Sequence, residues 1–137
     1  MSRAVIHPAA LSGTLAAPPS KSAAHRALIC AALADGKSRV YPLAGSADMA
    51  ATAQCLCAMG AQIAREGDAA FVEGGRCAAG AEVTLDCAES GSTLRFLLPV
   101  AAAYGLRATF VGRGRLPERP LGALADQMKA HGVSFSA

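Results

Sequence analysis

The apolar residues of the chain fall into short runs divided by glycine and proline, and their spacing assigns each run to a helix or a strand. Residues 22–34 carry a helical pattern that stops at Gly36, and residues 48–59 carry a second that stops at Gly60. Residues 39–43 read as a short strand between them, and residues 61–64, 70–73 and 82–87 follow as strands, the last with clear alternation. The order then returns: residues 92–104 predict a helix before Gly105, residues 107–111 a strand, residues 120–131 a helix before Gly132, and residues 133–135 a strand.

Arg26 and Arg95 each lie four positions after a small residue at a helix start, Ser22 and Gly91, and are 69 positions apart; Gly60 and Gly132 are 72 apart. A period near 70 exceeds a solenoid unit and implies a duplicated module with two helices in each copy. The second copy has no counterpart of the 70–73 strand, so the chain is expected to end inside a module.

The helices differ in kind. In residues 120–131, Leu121, Leu124, Ala125 and Met128 form one stripe away from Asp126, Lys129 and His131, with Pro120 at the first helical position, so one face should be exposed. Residues 27–34 are apolar on every face and residues 96–103 nearly so, which predicts central helices wrapped by the other elements. Pro99 cannot donate to the carbonyl of Arg95 and should kink its helix at a cost of about 3 kcal/mol.

A length of 137 residues allows one domain or a piece of something larger, and 53% hydrophobic against 17% charged residues excludes a disordered chain. The longest uncharged apolar run, residues 96–106, contains Pro99 and Gly105 and falls short of the ~20 residues of a membrane span. Only Arg3 precedes His7-Pro8, which breaks the first apolar stretch, so no secretory signal is read and a cytoplasmic location is expected. Five cysteines, an odd number set mostly in apolar segments, read as reduced thiols. Cys55 and Cys57 point to different faces of a helix, and no finger-like pairing accompanies them, so no metal is expected. The net charge is only +3 and the chain has 4 Phe, 2 Tyr and no Trp. Scattered basic residues with so few stacking platforms argue against nucleic acid and suit a small anionic ligand.

Three segments could hold such a ligand. Pro18-Pro19-Ser20-Lys21-Ser22, followed by Arg26, sets an ammonium, a hydroxyl and a guanidinium around one helix start, where unpaired N–H groups and the helix dipole favour an anion. Alternatively, Ser22 only caps the helix and both cations are solvated. Glu89-Ser90-Gly91-Ser92-Thr93-Leu94-Arg95 is a second such start, where Gly91 admits close approach to the backbone and Arg95 lies one turn in; it also reads as a plain cap, and it lacks the spacing of a Walker loop. Arg113, Arg115 and Arg119 occupy a turn-rich loop that could grip a carboxylate or phosphate, or simply be solvated. No acid/base set accompanies these cations: Asp48 reads as a helix cap, Glu89 as a cap or ion-pair partner, and His7, His25 and His131 have no partner identifiable in the sequence.

Pro19-Ser20-Lys21-Ser22 with Arg26-Ala27-Leu28, Ser46-Ala47-Asp48, Glu89-Ser90-Gly91-Ser92-Thr93-Leu94-Arg95 and Leu116-Pro117-Glu118-Arg119-Pro120, in this order and spacing, resemble the N-terminal part of the 5-enolpyruvylshikimate-3-phosphate (EPSP) synthases. The resemblance runs from about Leu11 to the end and takes in around a third of a full-length member. It implies an α/β (α+β) fold, part of one lobe of an inside-out α/β barrel built from βαβαββ modules with buried helices. On this reading residues 1–15 are an N-terminal strand or crossing segment and residues 16–137 a partial lobe, with a first module over about 16–80 and an incomplete second over about 81–137.

The resemblance also implies a reaction of the shikimate pathway to chorismate and the aromatic amino acids: the 5-hydroxyl of shikimate 3-phosphate attacks C2 of phosphoenolpyruvate and phosphate leaves, without metal or organic cofactor. Carried over by position, Lys21 would meet both substrates, Ser22 and Arg26 would hold shikimate 3-phosphate, and the Gly91 backbone and Arg119 would contact phosphoenolpyruvate, with Arg95 as a possible addition. The family's acid/base residues lie later in its members, so this chain is expected to hold no catalytic residue, to be inactive alone, and to need the C-terminal part of the enzyme as partner. Where many members read Asn-Ala-Gly-Thr this chain has Glu89-Ser90-Gly91-Ser92, and a proline often found after the helix arginine is Phe96; both bear on response to the inhibitor glyphosate. Two other readings compete: a stand-alone anion-binding module without catalysis, and a piece of the related UDP-N-acetylglucosamine enolpyruvyl transferase, for which Lys-Asn would be expected at Lys21-Ser22.

Overall fold

The computed structural model describes residues 3–43, 45–75 and 77–136. The elements are α1 (Lys21–Leu33), β1 (Lys37–Val40), α2 (Ala47–Ala58), β2 (Gln62–Glu66), β3 (Ala69–Glu73), β4 (Glu82–Asp86), α3 (Gly91–Ala103), β5 (Arg107–Val111) and α4 (Ala123–Ala130). Residues 3–20 carry neither helix nor strand and are exposed throughout, including Val5, Ile6, Leu11 and Leu15.

Two small sheets flank the helices. In the first, β3 is central and antiparallel to both β1 and β2. Its alternation decides the faces: Ala70 and Val72 point into the core while Phe71 and Glu73 point out. In the second, β4 and β5 are parallel and joined through α3, the crossover that parallel pairing requires. α1 packs on β1 and β3; α2 lies between α1 and α3 and also touches β2 and β4. Leu28, Met49, Leu56, Met59, Val72, Leu85 and Leu97 fill one continuous core between helices and sheets.

The repeat is present in the backbone: α3 stands to β5 as α1 stands to β1, and positive-φ glycines close corresponding helices at Gly36 and Gly105 and again at Gly60 and Gly132. Three expectations are corrected. The last helix begins at Ala123, not Pro120, because Gly122 sits at φ 52°, a non-helical conformation that ends the loop just before it, and Met128 is its one buried residue. Residues 133–135 form no strand, since no neighbouring strand pairs with them; Val133 N–H instead closes on the carbonyl of Met128 at 3.0 Å. α1 and α3 are central on one side only: α1 exposes Ala23, Ala27, Cys30 and Leu33, because α2, α3 and the first sheet cover the remainder of its circumference.

α3 runs unbroken through Pro99, which faces solvent, so the carbonyl of Arg95 loses its intrahelical donor without ending the helix. No helix among the described residues is long and apolar enough to cross a membrane.

Candidate functional site

The starts of α1, α2 and α3 lie at one end of the molecule, and each is capped by a serine. Ser20 Oγ accepts from Ala23 N–H at 3.3 Å, Ser46 Oγ from Met49 N–H at 3.3 Å, and Ser90 Oγ from Thr93 N–H at 3.2 Å. Each cap satisfies one orphan donor of its first turn and leaves others facing outward. Ser22 is therefore not the cap of α1, nor Asp48 that of α2, nor Glu89 that of α3. Ser22 lies inside the first turn of α1 with its side chain exposed.

Lys21 Nζ stands 3.9 Å from Asp48 Oδ2, an exposed pair that bridges the starts of α1 and α2. Arg26 folds back along its helix, Nε donating to the carbonyl of Ser22 at 3.1 Å. Its guanidinium lies 6.0 Å from the centre of the Phe96 ring on α3, at the range of a cation–π contact. Lys21, Ser22 and Arg26 thus share one helix start as the sequence indicates, and Phe96 carries that group across to α3.

The start of α3 gathers the second group. A Cβ on Gly91 would stand 3.1 Å from Arg95 Nη1 and 3.2 Å from Arg119 Nη1, so both guanidinium groups converge on the backbone at that residue. Arg95 Nη2 donates to the carbonyl of Pro120 at 2.9 Å, which joins the 113–120 loop to α3. Leu116, buried at the root of that loop, packs against Gly112 and anchors the segment carrying Arg119.

The three loop arginines divide. Arg119 reaches Gly91, Arg115 is exposed, and Arg113 pairs with Asp86 at the end of β4. The Ala88 N–H and then the Arg113 guanidinium hold the Asp86 carboxyl below its ordinary range. Ala88 itself adopts φ 49°, with its N–H bonded to Asp86 Oδ1 at 2.9 Å and its carbonyl to Arg113 N–H at 2.7 Å; this turn delivers Ser90 to the α3 start.

Sequence reasoning found no partner for His25. The structure buries it and places Nδ1 2.8 Å from Thr52 Oγ1, which lies 2.7 Å from Thr93 Oγ1, which lies 2.7 Å from Ser90 Oγ. Burial holds the His25 imidazole below its ordinary value of 6.5, opposed by Asp48 and assisted by Lys21. One signal was available, the Ser90-x-x-Thr93 spacing of an N-cap; the contacts from α1 and α2 have no local signature. Among the described residues no group of three His, Cys, Asp or Glu side chains is placed to hold a metal ion.

Fold and site together define a mixed α/β protein that presents cationic side chains and free backbone N–H groups where helix starts converge, an arrangement suited to anions. The model of the EPSP synthase family (3-phosphoshikimate 1-carboxyvinyltransferase) matches residues 5–136, and the chain belongs to that family. It is 43% identical over 138 residues to the 3-phosphoshikimate 1-carboxyvinyltransferase of Clostridium beijerinckii and 38% identical over 141 residues to that of Clostridioides difficile, covering 96% of this chain and 32% of each relative. An EPSP synthase structure from Acinetobacter baumannii superposes with a TM-score of 0.76 at 25% identity, covering 88% of this chain and 28% of the other. A second, from the same organism, agrees in fold at a TM-score of 0.72. The chain thus spans about a third of the length of the curated relatives it matches.

Proposed function

We propose that this chain supplies part of the substrate site of an enolpyruvyl transferase that joins phosphoenolpyruvate to the 5-hydroxyl of shikimate 3-phosphate. The observation that carries the reading is the convergence of Arg95 and Arg119 on Gly91, beside the α1 start that bears Lys21, Ser22 and Arg26. Two anionic substrates need two cationic pockets within bonding reach of each other, and the contact of Arg26 with Phe96 brings the two groups onto neighbouring helices.

In this reading Ser22 and Arg26 hold shikimate 3-phosphate, Arg119 and the Gly91 backbone contact phosphoenolpyruvate, Arg95 supports that second group, and Lys21 meets both substrates. The hydroxyl oxygen gives up its proton and adds to C2 of phosphoenolpyruvate while C3 takes up a proton and becomes a methyl group; the tetrahedral centre then collapses, C3 losing a proton to restore the double bond as the C–O bond to phosphate breaks. Fixed cations and N–H groups stabilise the charge on both phosphates without a cofactor. In this reading the proton transfers fall to acid/base residues in the later part of the enzyme, as the family resemblance implies.

The exposed 3–20 arm supports assigning residues 1–15 to a segment that packs elsewhere in the whole enzyme, with residues 16–137 as a partial lobe in two modules, completed by the C-terminal part. The cytoplasm is the compartment this reading assigns.

The test is titration calorimetry with both substrates together with an assay for phosphate release. Each well-formed charge-assisted contact is worth about 1.5–3 kcal/mol, so Arg26→Ala should abolish detectable binding of shikimate 3-phosphate and Arg119→Ala that of phosphoenolpyruvate, with phosphate release at background throughout. Binding indifferent to both substitutions, or turnover by the purified chain, would overturn the assignment.

A further inference from the structure

The starts of α1 and α3 are tied to each other through a residue that belongs to neither. Thr52 lies in the interior of α2, is fully buried, and has its hydroxyl between His25 Nδ1 of α1 at 2.8 Å and Thr93 Oγ1 of α3 at 2.7 Å. Thr93 Oγ1 also meets the capping Ser90 Oγ at 2.7 Å and lies 3.4 Å from the carbonyl of Asp48.

A hydroxyl has one proton to give, so the directions along this chain are linked. If Thr93 donates to Ser90, then Thr52 must donate to Thr93 and His25 Nδ1–H to Thr52. Ser90 Oγ then accepts from both the hydroxyl and the N–H of Thr93. The opposite direction consumes the Ser90 proton within the chain. In either case the buried groups are all satisfied only while His25, Thr52 and Thr93 keep register across three helices.

We propose that Thr52 is a positioning residue, whose hydroxyl locks the α3 start to the α1 start and so sets the spacing between the Lys21, Ser22 and Arg26 group and the Gly91, Arg95 and Arg119 group. This rests on the reading above that both groups bind anions. Thr52 touches neither group directly. Its side chain is fully buried, so valine preserves the volume and removes only the hydroxyl, leaving His25 Nδ1 without its partner and the Thr93 hydroxyl with only Ser90 Oγ and the Asp48 carbonyl.

The experiment compares the unmodified chain with Thr52→Val and Thr52→Ser by amide hydrogen exchange without ligand, then by titration with shikimate 3-phosphate and with phosphoenolpyruvate. In Thr52→Val the Thr93 amide, held by Ser90 Oγ, should lose at least tenfold in protection relative to Ile63 and Val72 in the first sheet. Both ligands should weaken at least fivefold. Thr52→Ser should restore protection and affinity to within twofold. Equal loss of protection in α3 and the sheet, or affinities unchanged in Thr52→Val, would reduce Thr52 to an ordinary core residue and overturn the proposal.

Should Thr52→Val not fold, the unmodified chain still decides: hydroxyl protons of Thr52 and Thr93 in a closed buried chain give their own slowly exchanging resonances, and their absence overturns the lock. If the unmodified chain binds neither ligand, the proposed function fails, and the ligand-free exchange comparison alone passes judgement on the link between the helix starts.

Discussion

Gly91 and His25 show how single side chains set this site. At Gly91 an added methyl would press on the Nη1 atoms of Arg95 and Arg119, at 3.1 and 3.2 Å, which are the far ends of flexible side chains. Alanine is also the better helix former. Gly91→Ala should therefore leave the melting temperature within a few degrees while weakening phosphoenolpyruvate about tenfold and hardly changing shikimate 3-phosphate, as read by calorimetry. Weakening of both ligands with a large drop in melting temperature would mean that Gly91 serves the backbone and not the ligand. The place of Arg95 beside Gly91 was foreseeable from the sequence, since a glycine at a helix start followed one turn later by arginine has a local signature, whereas the approach of Arg119 depends on the loop path. The burial of His25 was not, because its partner Thr52 stands 27 positions away on another helix.

Among the elements, the caps and the internal proline carry the clearest energetic consequences. Ser20 is an exposed cap with one accepted bond, whereas Ser90 is buried and receives both the N–H and the hydroxyl of Thr93. Ser20→Ala should cost about 0.5–1 kcal/mol, at the lower end for a lost cap, and Ser90→Ala about 1–2 kcal/mol, since it also takes one partner from the buried Thr93 hydroxyl. Urea unfolding of the two variants checks the order, and equal costs would show that the buried hydroxyl chain adds nothing. Pro99 sits on the exposed side of α3 and denies a donor to the Arg95 carbonyl, so Pro99→Ala should stabilise the chain by about 1–3 kcal/mol and raise its melting point. Loss of stability would mean that the helix path depends on the proline. The spans of α1, α2, α3 and β5 were legible from periodicity to within a residue or two. The start of α4 was not, because Pro120 looks like a first helical residue until the loop path turns its carbonyl to Arg95 and Gly122 takes a positive φ.

The molecule as a unit responds to pH through its one buried imidazole. The folded state holds His25 below its ordinary value of 6.5. Between the two values the unfolded chain therefore binds the proton more readily than the folded one, and stability must rise with pH across that window. It is fully present above about 6.5 and is lost progressively as pH falls towards the folded value. Urea midpoints measured from pH 7.5 down to pH 5.5 should decline, and the decline should flatten in His25→Asn; an unchanged slope in that variant would assign the effect to other groups.

Much of this protein could be derived from local pattern, and the reason is physical. Helix period, strand alternation and glycine stops are properties of neighbouring residues, and neighbouring residues determine backbone conformation. The same locality made Lys21, Ser22 and Arg26 recognisable as one group. Which loop arginine reaches Gly91 and which is spent on Asp86, and what His25 bonds to, depend on how the helices and the 113–120 loop are set side by side. Those choices belong to packing, where groups far apart in the chain compete for the same few donors and acceptors, and the desolvation cost of leaving one unpaired selects the arrangement.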